Sequence, residues 1–125
     1  MPGLDRLFTV IDPPASGATS AVTRVTVDPA HELFSGHFPG RPIIPGVVLV
    51  HISLRVISAM MGAPVRIDQA RTIKFLAPVD PGISREVVLS TTLETSEGAT
   101  WAEVQATADG TVVMKLTASV VRDER

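Results

Sequence analysis

Apolar and polar residues alternate along several parts of the chain, which is the pattern of a β-strand with one buried face. The first such segment is SAVTRVTVDP, residues 20–29, which a proline ends. Four more segments follow in the second half of the chain, at residues 70–79, 85–94, 100–108 and 111–121. Asp109-Gly110, between the last two, is a typical hairpin turn. The pattern predicts one early strand and then an antiparallel meander of about four strands.

Residues 47–61, VVLVHISLRVISAMM, show a different pattern, with apolar residues on all sides. The Val and Ile content would suit a strand, but the length of the segment favours a helix. Pro45 suits the first turn of a helix, and Gly62 suits its end. We therefore predict one helix that is buried on most sides. A helix laid against a curved antiparallel sheet makes the expected fold class α+β, in one domain over residues 1–125.

Composition excludes several classes of function. The chain has no cysteine, so it has no disulfide, thiolate metal site or cysteine nucleophile, which agrees with a cytoplasmic location. Its net charge of -2 supplies no basic field for nucleic acid. We expect no membrane span, because Pro45, His51 and Arg55 interrupt the longest apolar stretch. No spacing of ligands indicates a metal or cofactor site.

The charge is unevenly distributed along the chain. Residues 1–40 carry a net charge of -2, residues 41–85 carry +4, and residues 86–125 carry -4. A basic middle segment can bind an acidic partner or a phosphate, and it can equally be an ordinary solvated surface.

The strongest chemical signal is the proline-rich loop HFPGRPIIPG, residues 37–46, which leads into the helix. The first turn of a buried helix presents unpaired N–H groups and a partial positive charge. The N–H of Gly46 or Val47 could therefore polarise a thioester carbonyl. His37, at the far end of the stiff loop, could then remove an acidified α proton, or it could be a loop histidine that bonds to the backbone. His51, one turn into the helix, suits either a core position or the site.

The segment LFSGHFPGRPIIPGVVLVH, residues 33–51, closely resembles the active-site segment of 3-hydroxyacyl-acyl-carrier-protein dehydratases of the FabZ/FabA type. The segment IKFLAPVDPGI, residues 73–83, resembles the strand and turn that follow the helix in that family. The resemblance implies the hotdog fold, in which an antiparallel sheet wraps a central helix. It also implies dimers, often trimers of dimers, that convert 3-hydroxyacyl thioesters on acyl carrier protein to trans-2-enoyl thioesters without metal or organic cofactor.

The resemblance also implies roles for particular residues. The catalytic histidine falls on His37, and the N–H group that binds the carbonyl falls on Gly46. The expected substrate-binding residues form the walls of the pocket and the acyl tunnel along the helix: Phe34, Phe38, Pro39, Ile44, Val47, Val48, Arg55, Ile73 and Phe75. The basic residues of the middle segment would dock the acidic carrier protein: Arg41, Arg66, Arg71, Lys74 and Arg85.

One position departs from the family pattern. Fourteen residues after the histidine, the family places a glutamate or aspartate that the other subunit supplies, and this chain has His51 there. One turn further on, Arg55 stands where the glutamate type usually has a glutamine. An imidazolium can donate a proton as a carboxylic acid does, but a nearby guanidinium disfavours the imidazolium.

Three hypotheses follow from this departure. In the first, the chain is a working dehydratase in which His51 replaces the acid. In the second, it is one half of a heterodimer and lends His37 to a second hotdog subunit that supplies the carboxylate. In the third, it is a non-catalytic hotdog subunit that binds acyl chains or carrier protein. A hotdog acyl thioesterase is a further enzyme alternative.

Overall fold

A computed structural model describes residues 6–35 and 42–124 of the chain. Within these ranges, six antiparallel strands form one sheet and one helix packs against it. The elements, in chain order, are β1 Phe8–Ile11, β2 Ser20–Val27, a short 3-10 helix Glu32–Phe34, α1 Gly46–Met61, β3 Val65–Phe75, β4 Glu86–Ser96, β5 Ala99–Ala108 and β6 Thr111–Arg122. This is the α+β architecture that the alternation predicts.

The order of strands across the sheet is β1-β2-β4-β5-β6-β3. β4, β5 and β6 form the expected meander, but β3 pairs with β6 and not with β4. The prediction of a single four-stranded meander is therefore wrong at β3. Because β1 and β3 are the outermost strands, they form the two edges of the sheet among the described residues. β1 has four residues, whereas β3 has 11.

Tight turns hold the meander in register. Glu97-Gly98 joins β4 to β5, and Asp109-Gly110 joins β5 to β6. All four of these residues have φ between 50° and 80°, the positive values that a two-residue hairpin turn of the type I′ kind requires. The predicted turn at Asp109-Gly110 is confirmed.

The helix begins and ends close to the predicted positions. It starts at Gly46, directly after Pro45, which has the extended backbone of a residue before a helix. Its last residue is Met61, and the next residue, Gly62, caps the helix with a φ of 71°, in the left-handed region. Gly62 suits this position because glycine adopts that conformation at little cost.

The core lies between the helix and the inward face of the sheet. Fully buried residues of the helix, such as Ile52 and Val56, meet alternate residues of the strands, such as Val25, Leu89 and Leu116. Val113 is buried although the alternation places it on the outer face. The register between β5 and β6 shifts beside it, so an irregularity in the ladder turns this side chain inward.

Two further differences concern the ends of the sheet. The sequence does not predict β1, because its four residues are too few for a clear alternation. β3 begins at Val65 and ends at Phe75, whereas the alternation predicts a strand over residues 70–79. Its register against β6 shifts twice, and these irregularities interrupt the alternation in its first half.

No helix within the described ranges is long and apolar enough to cross a bilayer.

Candidate active site

The start of the helix carries the backbone groups on which the predicted site depends. The N–H groups of Val48 and Leu49 donate to the carbonyl oxygen of Pro45, at 2.9 Å and 3.4 Å. The N–H groups of Gly46 and Val47 come before these first bonds, so the helix itself offers them no acceptor. The N–H of Ile44 donates to the carbonyl oxygen of Val79 at 2.9 Å and ties the segment before the helix to the segment after β3.

Phe75, the last residue of β3, lies directly over Gly46. A Cβ atom at position 46 would stand 2.7 Å from Phe75 Cζ and 2.9 Å from both Cε atoms, closer than real Cβ contacts come. Only glycine leaves room for the ring at this distance. About half of the Phe75 side chain is exposed, so the ring both contacts the helix start and faces outward.

An open apolar groove surrounds this contact. Three residues of this groove are more than half exposed: Val47 on the helix, Phe75 at the end of β3, and Leu76 directly after β3. None of the residues that line the groove carries a titratable side chain: Ile44, Gly46, Val47, Leu49, Phe75, Leu76, Ala77 and Pro78. The described part of the groove therefore offers the N–H groups of a helix start and an apolar surface, but no titratable side chain.

His51 lies on the outward stripe of the helix, between Val47 and Arg55. Its ring meets the edge of Phe8 in β1, with the ring centroids 6.0 Å apart and the planes at 77°. The Arg55 guanidinium lies 5.6 Å from the centroid of the same Phe8 ring. His51 and Arg55 thus share one aromatic neighbour from their own chain.

Burial lowers the pKa of His51 below its usual value of 6.5, and the charge of Arg55 lowers it further. Both effects disfavour the imidazolium, because a partly buried ring loses water and a nearby cation repels the added charge. The expected effect of Arg55 on His51 is therefore confirmed. At neutral pH the neutral imidazole predominates, and this form is a poor proton donor.

The other predicted substrate-binding residues separate into buried and exposed groups. Phe34, Ile44 and Val48 are buried in the core. Ile73 is partly exposed on the same face of the sheet as Phe75. His37, Phe38, Pro39 and Arg41 lie outside the described residues, so their predicted roles stay predictions.

The four predicted docking cations that the structure describes are all exposed, and three of them lie on β3. Arg66, Arg71 and Lys74 follow one another along this strand, whereas Arg85 directly precedes β4. Arg71 is the one with an aromatic partner, since its guanidinium lies 4.3 Å from the centroid of the Trp101 ring on β5.

Phe8 is the neighbour of the site for which the sequence makes no prediction. The only hint of this strand in the sequence is the alternation of Phe8 and Val10 with Thr9, which is too short to predict a strand.

Among residues 6–35 and 42–124, no three His, Cys, Asp or Glu side chains come together as a metal site requires.

Comparison with known proteins assigns the fold. The chain superposes on the dehydratase heterocomplex ApeI:P from Xenorhabdus doucetiae with a TM-score of 0.67, at 18% identity, over 91% of this chain and 95% of that chain. It superposes on the PaaI protein of Escherichia coli with a TM-score of 0.66, at 14% identity, over 96% of this chain and 83% of that one. The fold is the hotdog fold, as the resemblance implies.

Sequence relatives agree with this fold. The chain is 32% identical over 115 residues to the 3-hydroxyacyl-(acyl-carrier-protein) dehydratase FabZ of Erwinia tasmaniensis, covering 82% of this chain and 72% of the relative. It is 35% identical over 81 residues to the FabZ of Roseobacter denitrificans, covering 62% of this chain. The match spans only 52% of that relative.

A family model described as ApeI dehydratase matches residues 14–115, which include the helix start, His51, β4, β5 and the first five residues of β6. The match covers most of the chain. The chain belongs to the ApeI-like family, a FabZ-like group of hotdog-fold dehydratases.

Proposed function

We propose that the chain is the histidine-bearing subunit of a heterodimeric dehydratase that acts on 3-hydroxyacyl thioesters held by acyl carrier protein. The observation that carries this proposal is the apolar groove at the helix start, where Gly46 offers an N–H group and no described residue offers an acid. A hydroxyl cannot leave as water from such a groove unless a proton donor arrives from elsewhere.

The reaction divides between two subunits. The thioester carbonyl binds at the N–H of Gly46, which draws charge from the α carbon and acidifies its proton. His37 removes this α proton, the bond between C3 and the hydroxyl oxygen breaks, and a double bond forms between C2 and C3. A carboxylic acid of the second subunit gives its proton to the departing hydroxyl, which leaves as water. His37 then gives its proton to solvent and the carboxylate takes one up from solvent, which returns both groups to their starting state.

The environment of His51 supports the heterodimer over a homodimer. In a homodimer the proton donor would be the partner copy's residue at the same position, that is, a second His51. Its lowered pKa leaves little of the donor form at neutral pH, and its ring packs against Phe8 of its own chain. The dehydratase heterocomplex ApeI:P, whose fold the chain shares, is an assembly of the proposed kind.

A complementation experiment tests this proposal with two copies of the chain itself. The variant His37→Ala/His51→Glu carries the acid but no base, and the unchanged chain carries the base but no acid. Neither should dehydrate a carrier-bound 3-hydroxyacyl thioester alone, whereas their mixed dimer has one complete site. Mixing at about 0.5 M NaCl screens repulsion between exposed charges, so that unlike copies can pair.

Loss of water from the acyl group, followed by mass spectrometry, is the readout. The matched control His37→Ala/His51→Gln should give no activity in the same mixture, because it differs only in the acid. Full activity of the unchanged homodimer would favour His51 as the donor instead. Carrier binding with no turnover in any mixture would favour a non-catalytic subunit, and release of free acid would indicate a thioesterase.

A further inference from the structure

β3 forms a long edge of the sheet that is open among the described residues. Its 11 residues pair with β6 on one side, and among the described residues no strand covers the other side. It contains no proline, so nothing in its backbone prevents a further strand from pairing along it. Exposed N–H and C=O groups along such an edge are a template for another strand.

The C-terminal end of this edge joins the candidate active site. Ile73 and Phe75 are 39% and 53% exposed, and Phe75 continues into the groove beside Val47. A strand that pairs with β3 would bring its own chain next to these apolar residues and to the helix start. The groove without a proton donor and the edge without a partner are therefore parts of one surface, and the site is incomplete until that surface is covered.

The charge on β3 selects what can cover it. Arg66, Arg71 and Lys74 stand against one acidic residue, Asp68, so the strand carries a net charge of +2. All four side chains are exposed, and none forms a salt bridge with the described residues. Lys74 lies directly opposite Lys115 on β6, which adds a like charge next to the edge.

Two copies of the chain would join two such strands. A net charge of +2 would face a net charge of +2, and the three cations of each strand outnumber its one Asp, so most charged pairs across the edge would repel. A neutral edge would meet no such penalty, and an edge with an excess of Asp or Glu would gain by pairing here.

We propose that the charge of β3 selects the partner at this edge: it favours the edge strand of a different hotdog chain with a net negative charge, and it disfavours pairing between two copies of this chain. The inference rests on the proposed heterodimer and adds the charge that selects the partner. The alternative is that these charges only prevent aggregation, as charged side chains commonly do on exposed edges. In that case, reversing them would create no selective pairing.

The test uses a charge-reversed copy of the chain as the acidic partner. The variant Arg66→Glu/Lys74→Glu changes the net charge of β3 from +2 to -2, while its apolar residues stay the same. We expect its pair with the unchanged chain to be at least about tenfold tighter than either homodimer at about 0.05 M NaCl. Native mass spectrometry with one isotope-labelled copy counts the mixed and unmixed dimers, and analytical ultracentrifugation gives their dissociation constants.

The control variant Arg6→Glu/Arg85→Glu changes the total charge by the same amount at exposed residues outside β3, and it should show no preference for the unchanged chain. Dimers in statistical proportion, an equal preference by the control, or no pairing at all would overturn the proposal. Because neither carrier protein nor substrate is present, a role of these cations in docking the carrier cannot produce the effect.

Salt provides a second measurement that needs no variant. Screening should tighten self-association of the unchanged chain by about tenfold between about 0.05 M and 0.5 M NaCl. A constant or weakening self-association would count against the proposal even if the charge-reversed copy did not fold. Catalysis is measured separately, so selective pairing without activity would contradict the proposed function and leave the assignment of this edge intact.

Discussion

Gly46 matters because the space that its side chain would fill is taken by another residue. The Phe75 ring occupies the place of the missing Cβ atom, on the residue whose N–H group is proposed to bind the carbonyl. The ring is the far end of a half-exposed side chain, so it can move at little cost. A substrate carbonyl and the Phe75 ring therefore compete for the space next to Gly46.

We expect Gly46→Ala to reduce dehydration at least about tenfold while changing the free energy of unfolding by no more than about 1 kcal/mol. The added methyl group displaces the ring of Phe75 and narrows the approach to the N–H group, whereas alanine suits a helix. Activity on a carrier-bound thioester and denaturant unfolding measure the two effects.

The double variant Gly46→Ala/Phe75→Ala identifies the cause of this loss. If displacement of the ring is responsible, adding Gly46→Ala to Phe75→Ala should cause little further loss. Equal losses in both backgrounds would instead mean that the methyl group blocks the carbonyl directly.

His51 should make the folded state sensitive to pH. Its pKa is lowered in the folded chain, so the unfolded chain binds the proton more readily, and stability falls as the pH drops through 6.5 and below. We expect the unchanged protein to lose more stability than His51→Gln between about pH 7.5 and pH 5.5. Urea unfolding at several pH values measures this, and all other titrating groups are common to both proteins. Parallel stability curves would contradict the prediction.

At the scale of elements, β2 and β4 carry two polar groups into the core. The hydroxyls of Thr23 on β2 and Thr91 on β4 are buried, and they have no hydrogen-bond partner among the described residues. A buried hydroxyl without a partner costs free energy, since it has given up water.

We expect Thr23→Val and Thr91→Val each to raise the free energy of unfolding by about 1 kcal/mol, because valine has the same shape without the hydroxyl. Thermal or denaturant unfolding measures the change. Thr92→Val, at an exposed position next to Thr91, is the matched control and should change stability little. A loss of stability in the buried variants would mean that the hydroxyls hold a bound water molecule.

The local sequence pattern predicted where the strands and the helix lie better than it predicted which strands pair. The buried residues of β5 follow the alternation, because each alternate side chain of that strand faces the core. The pairing of β3 with β6 could not be predicted in this way, since alternation identifies the inward face of a strand but not the strand beside it. The helix start was predictable because proline and glycine act within a few residues.

The surroundings of the site were less predictable for the same reason. Phe8 reaches His51 from the far end of the chain, and nothing near position 51 indicates an aromatic neighbour. Gly46 and Phe75 are also distant in sequence, so their contact appears only in the folded chain.

At the scale of the whole molecule, the exposed cation Arg85 lies outside the β3 edge and near the segment that leads into the helix. The turn that precedes β4 lies near Pro42, which leads into the helix, and Arg85 follows this turn. Among the predicted docking cations that the structure describes, Arg85 is the one that lies outside β3, so it can be changed without altering the edge strand.

We expect Arg85→Glu to raise the KM for a carrier-bound substrate by about tenfold and to leave the KM for a short thioester analogue nearly unchanged, because only the carrier is acidic. Steady-state kinetics of the assembled dimer with both substrates measure the difference. Arg122→Glu, at the opposite end of β3 and β6, is the control and should affect neither KM. An equal rise for both substrates would place Arg85 at the acyl site instead.

The pairing of β3 with β6 has a consequence for the order of events during synthesis. Among the described strands, only β6 lies beside β3, and β6 is the last of the six to leave the ribosome. β3 therefore becomes part of the sheet only after β4, β5 and β6 have emerged and folded. A partner that recognises this edge should join the finished domain and not the growing chain, so the two subunits need not be translated side by side to assemble.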